Sequence, residues 1–111
     1  MGEDLAAEYL VRQGFTIRHT NWRAGRYELD IVAERGGVIH FVEVRYRELG
    51  APVNPEESIT PAKFRALRRA AEAYLECFAL DNELQFDLVA VDRFGCENRV
   101  RYIPGAMQCG W

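Results

Sequence analysis

The fold is decided by the stretch GRYELDIVAERGGVIHFVEVRYRE, residues 25–48. It contains two apolar runs on either side of Gly36 and Gly37, and a Gly-Gly pair in this position is typical of a tight β-hairpin turn. With these glycines as the turn residues, Asp30 of the first strand lies opposite Glu43 of the second. The stretch therefore predicts a hairpin that brings two carboxylates together.

The same pairing assigns a face to the neighbouring side chains. Glu28 lies opposite Arg45, and because side chains alternate along a strand, these two share a face with Asp30 and Glu43. The other face is the more apolar one and is formed by Leu29, Ile31, Val42 and Val44. This arrangement holds for one register, since a shift of one residue moves every side chain to the other face.

The opposed carboxylates allow two interpretations. In the first, the face is solvated, and Glu28 forms a surface salt bridge with Arg45 that contributes about 0–1 kcal/mol. In the second, Asp30 and Glu43 bind a hard divalent cation such as Mg²⁺, which takes one or two carboxylates together with water and a substrate phosphate. Like charges placed opposite each other gain nothing structural, and a basic residue two positions after Glu43 points into the same site. This pattern favours metal-assisted hydrolysis.

The rest of the chain continues in helix and strand patterns. We predict helices at 2–13 and 61–79 and strands at 15–20, 26–34, 38–46, 85–92 and 98–103. The second helix follows a loop at 48–60 and begins at Thr60 and Pro61, which are typical first residues of a helix. Because a helical crossover precedes it, the strand at 85–92 is expected to lie parallel to one of the first three. The fold class is therefore α/β, a single mixed sheet with helices packed on it.

The second helix offers a candidate phosphate contact, Lys63. Its buried stripe is predicted to consist of Leu67, Ala70, Ala71, Tyr74 and Phe78. Lys63 shares this stripe in the first turn, where a cation opposes the helix dipole by up to about 1 kcal/mol, so its amine should emerge at the edge of the sheet. It either contacts phosphate or is a surface lysine whose stem packs on apolar residues. The opposite side is expected to be a solvated face formed by Arg65, Arg68, Arg69, Glu72 and Glu76.

Composition and charge limit the classes of function. The 111 residues, 49% hydrophobic and 28% charged, suit one domain over residues 1–111. No apolar run approaches the roughly 20 residues needed to span a bilayer, and no signal peptide precedes the first helix, so we expect a cytoplasmic protein that does not bind membranes. The net charge of -3 argues against a non-specific nucleic-acid coat, and it leaves room for a localised basic face.

Other common chemistries lack the residues that they need. Cys77, Cys96 and Cys109 are odd in number and form no CxxC pair, which argues against a disulfide framework and a zinc site. Ser58 is the single serine and lies in the predicted loop, so the sequence does not support a Ser–His triad. No phosphate-binding glycine motif is present. His40, at a strand position, is expected to be a packed histidine rather than a ligand.

The order of these residues resembles a known family. Asp30 followed by VEVR at 42–45 resembles the PD-(D/E)xK signature of restriction-endonuclease-like nucleases. Over nearly the whole chain, the sequence is similar to the YraN-like family, small bacterial predicted endonucleases that are distantly similar to archaeal Holliday-junction resolvases. The residues that carry the similarity are Gly2, Glu3, AAEYL at 6–10, Asn21, Arg23, YELDIV at 27–32, FVEVRYR at 41–47, Lys63, FDLVAV at 86–91 and YIPGAM at 102–107.

The resemblance implies a restriction-endonuclease-like fold and an endonuclease that hydrolyses phosphodiester bonds with Mg²⁺ or Mn²⁺. Asp30 and Glu43 would be the metal-binding carboxylates, and the main-chain carbonyl of Val44 would be a third ligand. Arg45 takes the position of the motif lysine, and Glu28 matches an acidic position of the family. In such nucleases the metal activates water and stabilises the charge that develops on the phosphate.

The resemblance also implies partners and accessory residues. Lys63, Arg45 and Arg47 would contact nucleic acid, with DNA expected rather than RNA and branched or junction DNA among the substrates. Glu3 matches a further acidic position and is a possible accessory acid or a charge at the start of a helix. A homodimer would suit a two-strand cut, because a twofold pair presents two sites.

Two residues depart from the family pattern. Arg45 stays charged at ordinary pH, so it can stabilise developing charge but cannot act as a general base. The base would then be Glu28, a metal-bound hydroxide or a substrate phosphate oxygen. Tyr27 stands where the family more often has glycine, which adds bulk beside the site. Two further hypotheses therefore stay open: a catalytically silent module that binds nucleic acid or a partner, and a structural protein whose acidic pair is incidental.

Overall fold

The computed structural model describes residues 2–48 and 59–106 and has the element order that the sequence predicts. The elements are α1 (Gly2–Arg12), β1 (Thr16–Ala24), β2 (Tyr27–Arg35), β3 (Val38–Glu48), α2 (Pro61–Cys77), β4 (Leu84–Phe94) and β5 (Glu97–Ile103). The predicted loop at 48–60 falls mostly outside the described residues, and so do Ser58 and Cys109.

The five strands form one mixed sheet in the order β1-β2-β3-β4-β5. β3 and β4 are parallel, and the other three neighbouring pairs are antiparallel. The parallel pair is the one that α2 connects, so the predicted crossover is confirmed. β1 continues to Ala24, beyond the predicted end at Thr20, because Asn21 and Arg23 are exposed polar residues that interrupt the apolar pattern without ending the strand.

The two helices cover opposite faces of the sheet. The α2 face is the cluster of Leu29, Val32, Ile39, Phe41, Ile59, Phe64, Leu67, Ala70, Ala71, Tyr74, Phe86 and Leu88. The α1 face is the cluster of Ala6, Leu10, Phe15, Ile31, Ala33, Val42, Val89 and Val91. Both faces are therefore closed by a helix, and the functional side chains must lie where this cover ends.

The alternation of side chains along β2 changes phase at Asp30. Leu29 packs on the α2 face and Ile31 on the α1 face, so the prediction that these two share a face is wrong. The β1–β2 pairing skips the position at which Asn21 would face Asp30. Asn21 has a left-handed φ of 51°, whereas the register shift of the β1–β2 pairing lies between Ile17 and His19. The irregular backbone at Asn21 therefore coincides with the change of phase at Asp30.

α2 begins as its sequence predicts. Thr60 is the N-cap, and its Oγ1 accepts the Lys63 N–H at 3.1 Å, while Pro61 occupies the first helical turn. The buried stripe consists of Phe64, Leu67, Ala70, Ala71 and Tyr74. The prediction that Phe78 belongs to it is wrong: Phe78 is the C-cap residue and is 37% exposed, because the helix ends at Cys77.

A buried polar network on the α1 face holds β4 to its neighbours. Asp87 is fully buried. Its carboxylate accepts hydrogen bonds from Tyr102 Oη at 2.7 Å, Gln85 Nε2 at 2.7 Å and the Gly105 N–H at 2.8 Å, and His40 Nδ1 lies at 2.7 Å. Burial and the neighbouring Asp87 raise the pKa of Tyr102, which therefore stays a donor. His40 is a packed histidine, as predicted.

Two further expectations can be compared with the described part of the chain. Within residues 2–48 and 59–106, no helix is long and apolar enough to cross a membrane. Cys77 and Cys96 are exposed free thiols, and Cys109 lies outside the described residues.

Asp87→Ala should destabilise the fold more than Asp92→Ala does. Removal of Asp87 leaves several buried donors without an acceptor, which should lower the free energy of unfolding by about 3–5 kcal/mol. Asp92 is also buried on β4, but its partners Arg47 and Arg101 are partly exposed and can be hydrated, so we expect a loss of about 1 kcal/mol. Urea unfolding followed by circular dichroism measures both, and equal losses would contradict the role given to Asp87.

Candidate active site

The β2–β3 ladder ends just before the acidic residues. Its register is the predicted one from the turn as far as the pair Ile31–Val42, and past this point β3 continues beside β4. The Val44 N–H then donates to the side chain of Asp30, with 2.9 Å between Val44 N and Asp30 Oδ2. A carboxylate oxygen therefore takes the place of a strand carbonyl at the point where the two strands separate.

Glu43 lies beside Asp30 at this point. The two carboxyl groups are close enough that the Asp30 carboxylate raises the pKa of Glu43. Glu43 is only 5% exposed, which is incompatible with a solvated sheet face at this position. The structure therefore places the buried carboxyl group of Glu43 beside the partly exposed one of Asp30.

Two cations contact the same oxygen of Glu43. Arg45 Nη2 lies 3.3 Å from Glu43 Oε2, and Lys63 Nζ lies 3.7 Å from it. Arg45 follows Glu43 by two positions on β3, whereas Lys63 comes from the first turn of α2. Contrary to the sequence prediction, Lys63 is exposed and does not belong to the buried stripe, because Phe64 takes that position. Its amine nevertheless reaches the sheet, where it completes a four-residue cluster with Asp30.

This environment raises the pKa of Glu43. Burial has the largest effect, the Asp30 carboxylate raises the pKa further, and Lys63 and Arg45 lower it. Together these effects raise the pKa of Glu43 from 4.5 to about 7. At neutral pH the residue is therefore divided between its protonated and charged forms, and an added positive charge at the pair would favour the charged form.

Arg45 carries an unsatisfied donor. Its Nε atom is buried and has no hydrogen-bond partner among the described residues, while its Nη2 faces Glu43. A buried donor without an acceptor costs stability. A small rotation of the guanidinium toward an anion would supply that acceptor.

Glu28 does not pair with Arg45, contrary to the sequence prediction. The β2–β3 ladder stops before it, and Glu28 pairs instead with Arg23 of β1, to which it forms an ion pair of 3.8 Å. The physical reason is the phase change at Asp30, which separates this end of β2 from β3. The side chain of Glu28 is 58% exposed, so the solvated interpretation is right for this residue.

A cavity of about 350 Å³ adjoins the carboxyl pair. It is lined by Arg26, Tyr27, Glu28, Lys63, Ala66, Leu67 and Arg69. Lys63 belongs to both, since it lines the cavity and contacts Glu43. The sequence patterns did not indicate Arg26, and they placed Arg69 on the solvated side of α2. The three-residue spacing of Lys63, Ala66 and Arg69 is a signal that could have shown them on one side of the helix.

Arg47, a predicted nucleic-acid contact, is held by Asp92 of β4. Arg47 Nε donates to Asp92 Oδ1 at 2.8 Å, and Arg101 Nε of β5 donates to Oδ2 at 3.0 Å. Burial raises the pKa of Asp92, but these hydrogen bonds outweigh it and hold the pKa below its ordinary value. Sequence patterns missed Asp92 and Arg101, because their contact with Arg47 depends on how β3, β4 and β5 align.

The remaining predicted residues fall on different sides of the sheet. Glu3 lies in the first turn of α1, which packs on the face opposite α2, so Glu3 and Lys63 approach the sheet from different sides. Val44 packs its side chain toward the α1 face, while its main chain adjoins Asp30. Its backbone is therefore positioned at the carboxyl pair.

The donors at the pair fit a hard divalent cation. In the part of the chain that the structure describes, no group of three or more His, Cys, Asp and Glu side chains could hold a metal ion. Mg²⁺ does not require such a group, because it binds through one or two carboxylates and keeps several waters. Asp30 and Glu43 supply two carboxylates whose mutual repulsion a cation would relieve. The set fits Mg²⁺ or Mn²⁺ and lacks the four nitrogen or sulfur ligands of a structural zinc site.

Glu43→Gln should flatten the pH dependence of stability in EDTA. The pKa of Glu43 is about 7 in the folded protein, against an ordinary value of 4.5 for a glutamate in an unfolded chain. The folded state therefore binds this proton more tightly than the unfolded chain does. The stability that results is fully present below pH 4.5 and is lost as the pH rises through about 7. Relative to the variant, the wild type should lose on the order of 3 kcal/mol over this range. Urea unfolding at a series of pH values measures this, and parallel profiles would contradict the raised pKa.

Comparisons with known proteins agree with the resemblance. A family model described as "Uncharacterised protein family UPF0102" matches residues 2–91. A UPF0102 protein of Bacteroides fragilis is 42% identical over 90 residues, which cover 81% of this chain and 74% of the relative. Those of Syntrophotalea carbinolica and Myxococcus xanthus are 44% and 38% identical over 112 and 110 residues, covering 99% and 98% of this chain and 91% and 87% of the relatives. The fold, the ordered motifs and these matches lead to one conclusion: the chain belongs to the uncharacterised protein family UPF0102, the YraN family.

Proposed function

We propose that this protein is a nuclease that hydrolyses phosphodiester bonds in DNA with Mg²⁺ or Mn²⁺ held by Asp30 and Glu43. The observation that carries the proposal is the buried carboxyl group of Glu43, which contacts Asp30 as well as the cations Arg45 and Lys63. A buried carboxyl group beside a second, partly buried one is costly to a fold that does not use them. A site that must hold both a cation and a phosphate needs this combination of charges.

The carboxyl pair would hold the cation, with the Val44 carbonyl as the third ligand. A bound cation of this kind polarises the phosphate and makes a coordinated water more acidic. Asp30 is already oriented by the Val44 N–H, so this ligand needs little rearrangement. Because the pKa of Glu43 is about 7, binding below that pH displaces a proton from its carboxyl group.

Arg45 and Lys63 would supply positive charge to the substrate. Arg45 stands at the position of the motif lysine, and its unsatisfied Nε can donate to a phosphate oxygen as charge develops there. It remains protonated throughout and so accepts no proton from the attacking water. That proton passes to Glu28, whose carboxylate is exposed in the adjoining cavity, or to a phosphate oxygen of the substrate.

Several cations lie around the carboxyl pair although the net charge is -3. Lys63 and Arg45 contact Glu43, and Arg26 and Arg69 line the adjoining cavity. Arg47 of β3 and Arg101 of β5 pair with Asp92. Such residues bind phosphates irrespective of base sequence. The family resemblance favours DNA over RNA as the partner.

A second candidate function is favoured by one observation at the same site. The guanidinium of Arg45 forms an ion pair with Glu43, so the residue in the lysine position neutralises a candidate metal ligand. This arrangement suits a module that binds nucleic acid through its cations without hydrolysing it. The two candidates differ in their response to metal ions.

Asp30→Asn separates a metal site from a charge cluster. In EDTA at pH 8, the variant should melt roughly 4 °C higher, because about 1 kcal/mol of repulsion is removed while the amide oxygen can still accept the Val44 N–H. Millimolar Mn²⁺ should stabilise the wild type by RT ln(1 + [L]/Kd) and the variant much less. Asp81→Asn, which changes an exposed acid between α2 and β4, is the matched control and should respond to Mn²⁺ as the wild type does.

Cleavage then decides between the two candidates. With Mn²⁺, the wild type should cut at least one member of a panel of labelled duplex, single-stranded and branched DNA, and Asp30→Asn should cut none. A wild type that binds DNA but cuts nothing supports the silent module and overturns the nuclease. A melting temperature of the wild type that does not change with Mn²⁺ contradicts the metal site itself.

A further inference from the structure

The cavity beside the carboxyl pair has the size and position of a ligand site. Its volume of about 350 Å³ falls within the range typical of small-molecule sites, about 300–1,000 Å³. One wall is the start of β2 with Tyr27 and Glu28, and the other is one side of α2 with Ala66 and Leu67. A fixed wall on each side makes this a formed cleft between two elements rather than a surface depression in one of them.

The wall residues combine a flat aromatic group with a hydrogen-bond acceptor. Tyr27 is half-buried and packs against the α2 face, which holds its ring in place at the cavity. An aromatic ring stacks on any nucleobase, because every base has a π face. The carboxylate of Glu28 lies next to it in sequence and can accept an N–H from the edge of a base.

The same cavity carries three cations. Lys63 contacts Glu43, whereas Arg26 and Arg69 take part in no ion pair within residues 2–48 and 59–106. Cations that no described carboxylate neutralises are suited to phosphate groups. A ring that can stack on a base, an acceptor for the base edge and cations for the phosphate together suit a nucleotide as the ligand.

We propose that this cavity binds one unpaired nucleotide of the substrate, next to the phosphodiester bond that lies at Asp30 and Glu43. The inference rests on the proposed function and names its substrate class. Lys63 shows that the cavity and the carboxyl pair are neighbours, since it lines the cavity while its Nζ lies 3.7 Å from Glu43 Oε2. A phosphate held by Lys63 would therefore lie near Glu43 while the base of the same nucleotide occupies the cavity.

The nucleotide must be unpaired for a physical reason. In a continuous duplex both faces of a base are covered by its neighbours, so the base reaches a protein ring only after it leaves the stack. A single strand, a flap, a gap or a branch point offers such a base without that cost. The substrates of this site are therefore nucleic acids with an unpaired nucleotide at the point of cleavage.

Binding without metal tests the proposal. We would measure fluorescence anisotropy in EDTA with a labelled 12-nucleotide single strand and with the same strand in a duplex. The wild type should bind the single strand about tenfold more tightly, although the duplex carries the higher charge density. Tyr27→Ala should lower affinity for the single strand about tenfold, the size expected for loss of one stacking contact, and leave duplex affinity unchanged.

Matched variants keep the test decisive if Tyr27→Ala folds poorly. Tyr27→Phe retains the ring and should keep the preference for the single strand. Tyr46→Ala removes a tyrosine that is 44% exposed on β3 outside the cavity and should also keep it. Arg69→Ala should weaken single-strand binding more than Arg12→Ala, which changes an exposed arginine at the end of α1. Equal affinity of the wild type for both DNA forms, or equal effects of the cavity and control variants, would overturn the proposal.

The binding and cleavage experiments distinguish failure of the cavity assignment from failure of the proposed nuclease function. A wild type that binds single strand and duplex equally but still cleaves DNA with Mn²⁺ overturns the cavity assignment and leaves the proposed nuclease function intact. A Tyr27-dependent preference in a wild type that cleaves nothing supports the cavity and overturns hydrolysis.

Discussion

The separation of β2 from β3 at Asp30 is the constraint on which the candidate site depends. A regular ladder would continue past Ile31–Val42 and fill this space with backbone. Instead, the Asp30 carboxylate accepts the Val44 N–H at 2.9 Å, so β3 loses a strand partner without leaving that donor unsatisfied. The gap that results is where Glu43 and Asp30 meet, and Lys63 links it to the cavity between β2 and α2.

The charges at this gap come from separate elements of the fold. Glu43 is buried beside a like charge, and the cations that offset it come from β3 and from α2. The compensation is incomplete, since the pKa of Glu43 remains raised to about 7 and the Nε of Arg45 has no acceptor among the described residues. Polar groups that are only partly satisfied in the free protein are the ones that gain most from a bound ion and a bound phosphate.

Local signals in the sequence predict the frame of this site, but not all of its partners. The Gly-Gly turn fixes the hairpin register, and a helix between two strands requires the crossover that makes β3 and β4 parallel. The face of Leu29 could not be predicted, because strict alternation along β2 fails at Asp30, opposite the left-handed Asn21 of the neighbouring strand. The contact of Arg47 with Asp92 could not be predicted either, since it depends on the β3–β4 register, which pairs residues 45 positions apart in the sequence. The hairpin register and the family resemblance indicated Asp30, Glu43 and Arg45 as candidate site residues, and the structure gives their charges and contacts.

The most direct test of the central claim is a crystal structure of the protein soaked in Mn²⁺, with anomalous diffraction data. We expect an anomalous peak between the carboxylates of Asp30 and Glu43, next to the main chain of Val44, and no peak there in crystals of Asp30→Asn. A soaked wild-type crystal without this peak, in which Arg45 and Lys63 still contact Glu43, would contradict the claim. The cluster would then be an ion-pair network and not a metal site.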